Sequence, residues 1–376
     1  MTDVFIIADN IYSPLGVNSA DNFMQLKNAV SGVKQHTNTA MSAVPFYAAL
    51  FSGDVNEPGS NDDQYTKFER ILIASITDAL QNSGVNAAGK RTLLILSSTK
   101  GNISLLETEV AGEQLNKRIA LTTSARLIAG HFNFINQPLI ISNACISGLL
   151  GIITGMRLIQ AGQYDNVVVA GADVISKFIL SGFQSFQAVS DGLCKPFDAE
   201  RKGINLGEGA ATVVLSKNKN NVTDIKVAAG AVSNDANHIS GPSRTGEELH
   251  NAIMKALNDA GLDAGSIDFI SAHGTATIYN DEMEAKAITL SAMQHIPVNS
   301  LKAYYGHTLG AAGLIESVVA IHSLKENTVL PTLGFNRLGV PTPVNVCTSV
   351  LSKPIQNCLK TASGFGGCNA AIVFSK

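Results

Sequence analysis

The most informative part of this chain is the stretch Pro138-Leu-Ile-Ile-Ser-Asn-Ala-Cys145-Ile-Ser-Gly-Leu-Leu-Gly-Ile-Ile-Thr-Gly-Met156. Residues 139–141 form an apolar run typical of a buried strand, and the small and apolar residues after Cys145 are typical of a buried helix. A tight turn between the two elements would place Cys145 at the N-terminus of the helix. There the unpaired N–H groups and the helix dipole favour a thiolate, which is a nucleophile.

Two other interpretations of this stretch remain open from its own residues. A buried cysteine is often an inert small hydrophobe rather than a nucleophile. No Lys, Arg, Asp or Glu occurs between Arg126 and Arg157, so a membrane span is the second alternative. The stretch nevertheless contains Asn143, Ser147 and three glycines, which fit a packed protein core better than lipid.

The composition of the chain limits its class. A chain of 376 residues is longer than a single hydrophobic core supports, so two domains or two core-forming halves are expected. Its 45% hydrophobic and 15% charged residues indicate a large buried interior. The net charge of −3 gives no basis for binding nucleic acid or an anionic membrane. Five scattered cysteines without a CxxC pair argue against a disulfide scaffold and against a zinc site.

Strand and helix patterns alternate along the chain, which predicts α/β sheets sandwiched by helices. The first strand, 4–8, is flanked by acidic residues rather than by the basic start of a signal peptide, so the cytoplasm is the expected location. Further strands are predicted at 92–96, 139–141, 166–172, 207–215, 225–229, 269–272 and 298–301, with a closing strand within 362–374. Helices are predicted at 20–30, 65–80, within 104–130, after Cys145, and at 247–260, 281–290 and 310–324. Residues 32–63 are predicted to form a polar loop with short elements.

His273 lies in the motif Ser271-Ala-His-Gly-Thr275-Ala-Thr277, directly after a predicted buried strand. Proteins of the α/β class tend to place their sites at the carboxyl ends of strands. A histidine at this position can also be an ordinary hydrogen-bonded structural residue. The neighbouring glycine and the two hydroxyl groups favour a functional role.

A second histidine opens a helix in the stretch Asn299-Ser-Leu-Lys302-Ala-Tyr-Tyr-Gly-His307-Thr-Leu-Gly310-Ala-Ala-Gly313-Leu-Ile-Glu316. Lys302 precedes His307 by five residues, and Glu316 lies inside an otherwise apolar helix. A buried glutamate needs a partner, and Lys302 is a candidate. The alternative is an exposed lysine and a capping glutamate.

The third motif, Gly364-Phe-Gly-Gly-Cys368-Asn369, has three glycines that allow positive φ angles and close approach of N–H groups to a ligand. Taken singly it is also compatible with a plain turn. One cysteine with two histidines and a lysine is not the arrangement of a cysteine protease, which needs one oriented imidazole. Two imidazoles suit a site that stabilises an enolate oxygen after a thioester loses CO2.

These motifs together resemble the β-ketoacyl-ACP synthases of the Cys-His-His type, the condensing enzymes of fatty acid and polyketide synthesis. The resemblance spans nearly the whole chain and includes Ser13-Pro-Leu-Gly16, Lys195-Pro-Phe-Asp198, Arg201, Gly203 and Gly207-Glu-Gly209. It implies an α/β, thiolase-like fold, in which two similar halves form a five-layered α-β-α-β-α sandwich. The polar residues 217–224 mark the expected boundary between these halves. We predict a half at 1–218 with the nucleophilic cysteine and a half at 219–376 with both histidines, the lysine and the glycine-rich loop.

The resemblance implies a role for each residue of the site. Cys145 accepts the acyl chain from acyl carrier protein as a thioester. His273 and His307 hydrogen-bond the malonyl thioester carbonyl and stabilise the enolate formed on decarboxylation, which then attacks the acyl-cysteine. The backbone N–H groups of Cys145 and Phe365 form the oxyanion hole, and Phe365 also gates the malonyl step.

The resemblance also implies supporting residues and partners. Lys302 and Glu316 form a charge network around His307, and Asp281 anchors the loop that follows. The residues expected to bind substrate, including its phosphopantetheine arm, are Thr275, Thr277, Phe365 and Gly366. No metal and no cofactor beyond the carried arm is expected. The expected partners are acyl carrier protein, acyl and malonyl thioesters, and a second subunit that is either an identical copy or a ketosynthase-like protein.

Two residues depart from the family pattern, since Ile146 stands where a small hydroxyl residue is usual and Cys368 where threonine is common. The chain is also shorter than typical members, and the shortening falls in the polar stretch 32–63. Acyl preference and the choice between fatty acid and polyketide or polyene synthesis therefore stay open. The alternatives are a thiolase or priming synthase that uses acyl-CoA, and a subunit of the chain-length-factor type. The former lack this pattern of histidines and lysine, and the latter typically lack the nucleophile.

Overall fold

The computed structural model describes residues 2–51 and 64–376. Its strands are β1 (Phe5–Tyr12), β2 (Lys34–His36), β3 (Phe46–Ala49), β4 (Thr92–Ser97), β5 (Leu139–Ile141), β6 (Asn166–Asp173), β7 (Leu206–Gly207), β8 (Gly209–Ser216), β9 (Ile225–Asn234), β10 (Phe269–Ser271), β11 (Pro297–Asn299), β12 (Thr328–Val329), β13 (Asn345–Val346), β14 (Leu351–Ser352), β15 (Asn357–Gly364) and β16 (Cys368–Ser375). Its helices are α1 (Ser19–Lys27), α2 (Lys67–Ser83), α3 (Glu113–Ile119), α4 (Leu121–His131), α5 (Ser147–Gln160), α6 (Lys177–Ser185), α7 (Glu247–Ala260), α8 (Ile278–Leu290), α9 (Lys302–Tyr305) and α10 (Ala312–Glu326).

The two halves of the chain repeat one sheet architecture. In the first half the strands lie in the order β5-β4-β6-β8-β1, and in the second half in the order β13-β11-β10-β15-β16-β9. In each half a parallel group is followed by antiparallel strands. The two sheets meet where the first residues of β1 pair with the first residues of β9.

Helices cover the outer face of each sheet and fill the space between the sheets. Helices α5 and α10 form the middle layer, where they share one hydrophobic core with both sheets. The outer faces are covered by α2 and α4 on the first sheet and by α7 and α8 on the second. Val167 and Val169 face the middle layer whereas Val168 faces the outer helices, because side chains alternate along a strand. The predicted five-layered sandwich is confirmed.

The middle layer explains why the sequence after Cys145 lacks charges. Helices α5 and α10 are buried almost all round, since each contacts sheet residues and the other helix. A Cβ on Gly148 of α5 would lie 2.8 Å from the backbone nitrogen of Leu314 in α10, so the two helices are in near-backbone contact. Within residues 2–51 and 64–376, no helix has the length and apolar character needed to cross a membrane.

Several predicted boundaries differ from the structure. The strand 139–141 was predicted to be buried, but β5 is an edge strand and Leu139 is 40% exposed. Strands β1 and β9 extend past their predicted ends because their neighbours continue to pair with them. The predicted loop at 32–63 contains β2 and β3, and its residues 52–63 lie outside the described ranges. The predicted boundary at 218/219 lies in the connection between β8 and β9 and stays a prediction.

Candidate active site

Cys145 lies on the turn between β5 and α5, directly before the first residues of the helix. Ala144 has a φ of +44°, a left-handed conformation that is strained for a residue with a Cβ. The Ser147 hydroxyl braces the turn, because it accepts the N–H of Asn143 at 2.8 Å and donates to the carbonyl of Ala144 at 2.7 Å. The turn presents Cys145, which is half-buried, to a cavity.

The glycine-rich loop packs against this turn. A Cβ on Gly364 would lie 2.9 Å from the backbone nitrogen of Cys145 and 3.0 Å from the sulfur of Cys368, so a glycine is needed here. The backbone N–H of Phe365 donates to the Cys145 thiol group. The loop is the tip of the β15–β16 hairpin, which therefore reaches across to the nucleophile of the first half.

The two predicted histidines converge on Cys145. The Nε2 atom of His307 lies 2.9 Å from the Cys145 sulfur. The ring of His273 stands edge-on to the ring of His307, with 5.3 Å between the ring centres. The sulfur and one nitrogen of each histidine lie within 4.8 Å of one another. The structure thus brings together residues from both halves that the sequence predicted as one site.

Close backbone contacts position His307. Its N–H donates to the carbonyl of Asn205 at 2.6 Å, and its carbonyl accepts the N–H of Gly207 at 3.1 Å. A Cβ on Gly207 would lie 1.8 Å from the carbonyl oxygen of Tyr305, so the chain on either side of His307 approaches β7 as closely as glycine allows. Gly306 completes the turn with a φ of +66°.

A buried carboxylate positions His273. The Oε1 atom of Glu284 accepts the N–H of His273, and its Oε2 atom accepts the N–H of Gly274, both at 2.7 Å. Glu284 is fully buried and also accepts the hydroxyl of Thr361. This role of Glu284 was not predicted from the sequence, although a glutamate facing the core from a helix beside the His273 motif was a usable signal.

Three buried charged residues form a cluster near the two histidines. Lys302 forms an ion pair with Oε1 of Glu316, and the Nζ atom of Lys360 lies 2.8 Å from Oε2 of the same carboxylate. Side-chain exposure is 0% for both lysines and 4% for Glu316. The alternative of an exposed lysine and a capping glutamate is therefore wrong. Lys360 was missed, and its only signal was a lysine within the apolar run of the last sheet hairpin.

The site opens into a cavity of about 370 Å³. Its apolar lining residues include Phe183, Phe186, Ala188, Ile204 and Phe365. Its polar lining residues include Asp235, His238, Ser240, Thr275, Thr277, Asn280 and Asn369. A thiol, two imidazoles and hydroxyl groups at one cavity suit acyl transfer between thioesters.

Comparison with known proteins assigns this site to a family. Residues 1–221 match the family model for the beta-ketoacyl synthase N-terminal domain, and residues 225–336 match that for the beta-ketoacyl synthase C-terminal domain. The chain belongs to the beta-ketoacyl synthase family. Its members are condensing enzymes of the acyltransferase class, as the resemblance implied.

Relatives cover the whole length of this beta-ketoacyl synthase. The 3-oxoacyl-[acyl-carrier-protein] synthase 2 of Vibrio cholerae serotype O1 is 28% identical, with 99% of each chain covered. A solved complex between a ketosynthase and its chain length factor from Xenorhabdus doucetiae contains a chain that is 25% identical, with a TM-score of 0.88. The match covers 100% of the present chain and 98% of that chain. A beta-ketoacyl synthase from Burkholderia phymatum STM815 is 23% identical, with a TM-score of 0.91 and full coverage of both chains. These structures confirm the thiolase-like fold.

Burial shifts the pKa of the thiol and of the two imidazoles at the cavity. It raises the pKa of the Cys145 thiol to about 12, and Lys302 and the Phe365 N–H oppose this rise only in part. It also lowers the pKa of His273 and of His307 well below the ordinary value, and nearby lysine ammonium groups lower both further. Burial therefore opposes the thiolate that the helix N-terminus favours at Cys145, and it favours the neutral form of both imidazoles.

The tautomers of the two histidines are not fixed by the protein. Among the described residues, the Nδ1 atoms of His273 and His307 are buried without a hydrogen-bond partner. His307 can thus accept a proton at Nε2 in one step and present an N–H there in another. A histidine that binds a metal usually donates its second N–H to a partner, so this arrangement does not favour a resident metal. The absence of a metal stays a prediction.

The predicted gate, Phe365, lies at the cavity with 42% of its surface exposed. Its ring stacks on Phe183 with 6.0 Å between centres and meets Phe186 edge-on at 5.7 Å. The two glycines that follow it have φ angles of +86° and +76°. Two left-handed glycines after Phe365, and ring contacts rather than hydrogen bonds to its side chain, suit a movable side chain.

The other predicted binding residues are placed as follows. Thr275 and Thr277 line the cavity, and their hydroxyl groups lie 2.8 Å apart. Asp281 does not hold a loop that follows it, because helix α8 continues there. Its carboxylate instead accepts the N–H of Ala276 at 3.2 Å in the preceding loop and the N–H of Phe197 at 2.7 Å.

The two departures from the family pattern do not line the cavity. Ile146 is 1% exposed and packs in the middle-layer core, and Cys368 is 3% exposed behind Gly364. A further missed residue is Asp173, whose carboxylate accepts the hydroxyl of Ser98 at 2.8 Å and the N–H of Gly310 at 2.7 Å. Because it accepts the N–H of Gly310, the Asp173 carboxylate fixes the segment that follows His307. Burial of Asp173 raises the pKa of its carboxyl group to about 6.

Proposed function

We propose that this chain is a 3-oxoacyl-ACP synthase that condenses an acyl group held on Cys145 with the malonyl group of malonyl-ACP, with loss of CO2. The observation that carries the proposal is the 2.9 Å contact between Cys145 and His307, with the ring of His273 edge-on to that of His307. Hydrolysis by a cysteine needs one oriented imidazole. Two imidazoles that converge on one point supply two N–H donors to an enolate oxygen.

In the first half-reaction the Cys145 sulfur attacks the thioester carbonyl of acyl-ACP. The thiol proton passes to Nε2 of His307, 2.9 Å away. The resulting oxyanion accepts the backbone N–H groups of Cys145 and Phe365. The bond between the acyl carbon and the carrier's sulfur then breaks, the carrier's thiolate takes the proton from His307, and acyl-Cys145 remains beside a neutral imidazole.

Between the half-reactions the neutral imidazole of His307 exchanges its proton with solvent and takes the tautomer with an N–H at Nε2. In the second half-reaction the malonyl thioester carbonyl accepts N–H groups from His273 and His307. The C–C bond to the malonyl carboxylate breaks and CO2 leaves. The electron pair of that bond forms the enolate. The enolate carbon attacks the acyl-Cys145 carbonyl and forms the new C–C bond. The C–S bond then breaks, the 3-oxoacyl product leaves on the carrier, and the Cys145 thiolate takes up a proton from solvent.

The first experiment is intact-protein mass spectrometry after incubation with a panel of acyl-ACPs and the matching acyl-CoAs. We expect a mass gain of one acyl group on the wild type and none on Cys145→Ala. Cys347→Ala is the matched control, since Cys347 is buried away from the cavity and should leave acylation unchanged. Adding malonyl-ACP should then release the 3-oxoacyl product. Acylation of the Cys145→Ala protein would overturn the mechanism, and acylation from acyl-CoA alone would indicate a priming enzyme.

A second candidate is a ketosynthase-like subunit of the chain-length-factor type within a heterodimer. The observation in its favour is the similarity to a chain of a ketosynthase–chain length factor complex over the full length. A scaffolding subunit would not need its nucleophile. Product length and rate that are unchanged by Cys145→Ala in the presence of a ketosynthase partner would therefore support this candidate and exclude the first.

A further inference from the structure

Lys360 is a fully buried lysine that the reaction steps above do not use. Burial lowers its pKa, and the Glu316 carboxylate opposes this shift. Its ammonium donates to the carbonyls of Ser271 at 3.1 Å, Ala272 at 3.3 Å and Thr361 at 2.7 Å. It also forms an ion contact of 2.8 Å with the carboxylate of Glu316. Four acceptors around one nitrogen match the three protons of an ammonium better than the two of a neutral amine.

Two side chains of β15, one on each face of the sheet, contact the segment that carries His273 or its partner Glu284. Ser271 and Ala272 immediately precede His273, and Lys360 binds their carbonyls from the middle layer. The next residue, Thr361, points to the opposite face, where its hydroxyl reaches the Glu284 carboxylate that accepts the His273 N–H. Lys360 therefore holds the His273 segment from the side of the middle layer.

The same ammonium is connected to the segment that carries His307. The Glu316 carboxylate is shared between Lys360 and Lys302. Lys302 begins helix α9, and its carbonyl accepts the N–H of Gly306 at 2.9 Å, one residue before His307. The two histidine-bearing segments thus meet at one buried lysine–glutamate–lysine cluster.

We propose that Lys360 is a positioning residue for malonyl decarboxylation, because its buried ammonium joins the segments that carry His273 and His307. The inference rests on the proposed function of the site. Lys360 does not line the cavity, so it acts through the histidines and not on substrate.

The cluster also places positive charge near both imidazoles. Burial is the main cause of their lowered pKa, and the ammonium groups of Lys302 and Lys360 add to it. The charged and titratable groups around the pair are Cys145, Asp173, Asp235, His238, Glu284, Lys302, Glu316 and Lys360. Loss of the Lys360 charge would favour the protonated imidazoles, so the pKa of His307 would rise. His307 must be neutral to accept the Cys145 proton, and the acid limb of acylation would therefore move to higher pH.

The test compares Lys360→Met, which removes the charge at similar size, with Lys360→Arg, which retains it. We expect Lys360→Met to acylate Cys145 near the wild-type rate at pH 8, to decarboxylate malonyl-ACP about tenfold more slowly, and to show an acid limb of acylation moved upward by on the order of one pH unit. Lys360→Arg should return the acid limb to its wild-type position. Lys353→Met is the matched control, because Lys353 is a lysine of the same region whose ammonium contacts the Asp268 carbonyl and not the His273 segment.

Thermal melting is measured for each variant, and Lys360→Gln, whose amide can still bind the carbonyls, replaces Lys360→Met if the latter fails to fold. An unchanged decarboxylation rate together with an unmoved acid limb would overturn the inference. An equal loss of both half-reactions with an unmoved acid limb would also overturn it, since that pattern indicates a structural residue. Failure of the proposed function is a separate result, because the wild type itself would then show no acyl transfer.

Discussion

At the scale of single residues, Cys145 experiences two opposing effects. Its place before helix α5, the N–H of Phe365 and the ammonium of Lys302 all favour a thiolate. Burial opposes them and is the larger effect, so the pKa of the thiol rises to about 12. In the proposed mechanism, Cys145 therefore becomes a thiolate when His307 takes its proton during the attack.

The raised pKa of Cys145 gives a prediction for direct alkylation. Because the titration midpoint lies near pH 12, the thiolate fraction should rise about tenfold for each pH unit from 6 to 10. We expect the rate of labelling by iodoacetamide to rise in the same way, without a plateau. The measurement is intact mass against time, with peptide mapping to assign the label to Cys145. A plateau that begins near pH 7 would instead indicate a resting thiolate–imidazolium pair.

At the scale of secondary-structure elements, the first turn of α8 organises two loops beside the cavity. Asp281 accepts the N–H of Phe197 in the turn at 195–198 and the N–H of Ala276 in the loop of the His273 motif. Phe197 has a φ of +63°, so its strained turn depends on such external hydrogen bonds. One buried carboxyl group therefore fixes the loop on which Thr275 and Thr277 face the cavity.

Replacing Asp281 by alanine should lower the free energy of unfolding by about 1–3 kcal/mol, because two N–H groups lose their acceptor. Asp281→Asn retains one acceptor oxygen and should lose less. Burial raises the pKa of Asp281 from 3.8 to about 7 in the folded state, so the stability that depends on its protonated form is lost as the pH rises through 7. Asparagine does not titrate, so the stability of the Asp281→Asn variant should rise relative to that of the wild type between pH 4 and 8. Urea unfolding at several pH values measures the free energy of unfolding of both proteins. A difference between the two that does not change with pH would contradict the raised pKa of Asp281.

The sequence predicts elements well where burial alone sets the pattern. Helix α7 begins and ends as predicted because an amphipathic pattern at 247–260 lies between Gly246 and Gly261, which both adopt left-handed conformations. The exposure of Leu139 could not be predicted, since the edge position of β5 depends on the order of strands in the sheet.

The candidate site was only partly accessible from the sequence. Cys145, His273 and His307 lie in recognisable motifs, but their mutual distances depend on how the two halves pack. Lys360 and Asp173 were missed because each binds groups that are remote along the chain, at 89 and 137 residues respectively. A single buried charge in an apolar strand signals that a partner exists without indicating which residue it is.

At the scale of the whole molecule, the site exists only because the two halves share the middle layer. The first half provides Cys145 at the start of α5, and the second half provides His307 shortly before α10. These two helices belong to one hydrophobic core. Their contact therefore sets the distance between the Cys145 sulfur and the His307 ring.

Gly148 tests this dependence, since it lies where α5 and α10 come closest. A Cβ at Gly148 would lie 2.8 Å from the Leu314 nitrogen and 3.0 Å from the Gly310 carbonyl, so Gly148→Ala must push the helices apart. We expect a loss of about 1–3 kcal/mol in the free energy of unfolding and a fall of about tenfold in Cys145 acylation, because His307 moves away from the thiol. Gly130→Ala is the control, because Gly130 is an exposed residue of α4 and, among the described residues outside its own helix backbone, no atom lies within 4 Å of its Cβ position. This variant should keep full acylation with equal or greater stability. Urea unfolding and intact-mass kinetics measure both quantities. A Gly148→Ala protein that loses stability but acylates at the wild-type rate would show that the catalytic distance is set locally by the two loops and not by the packing of the halves.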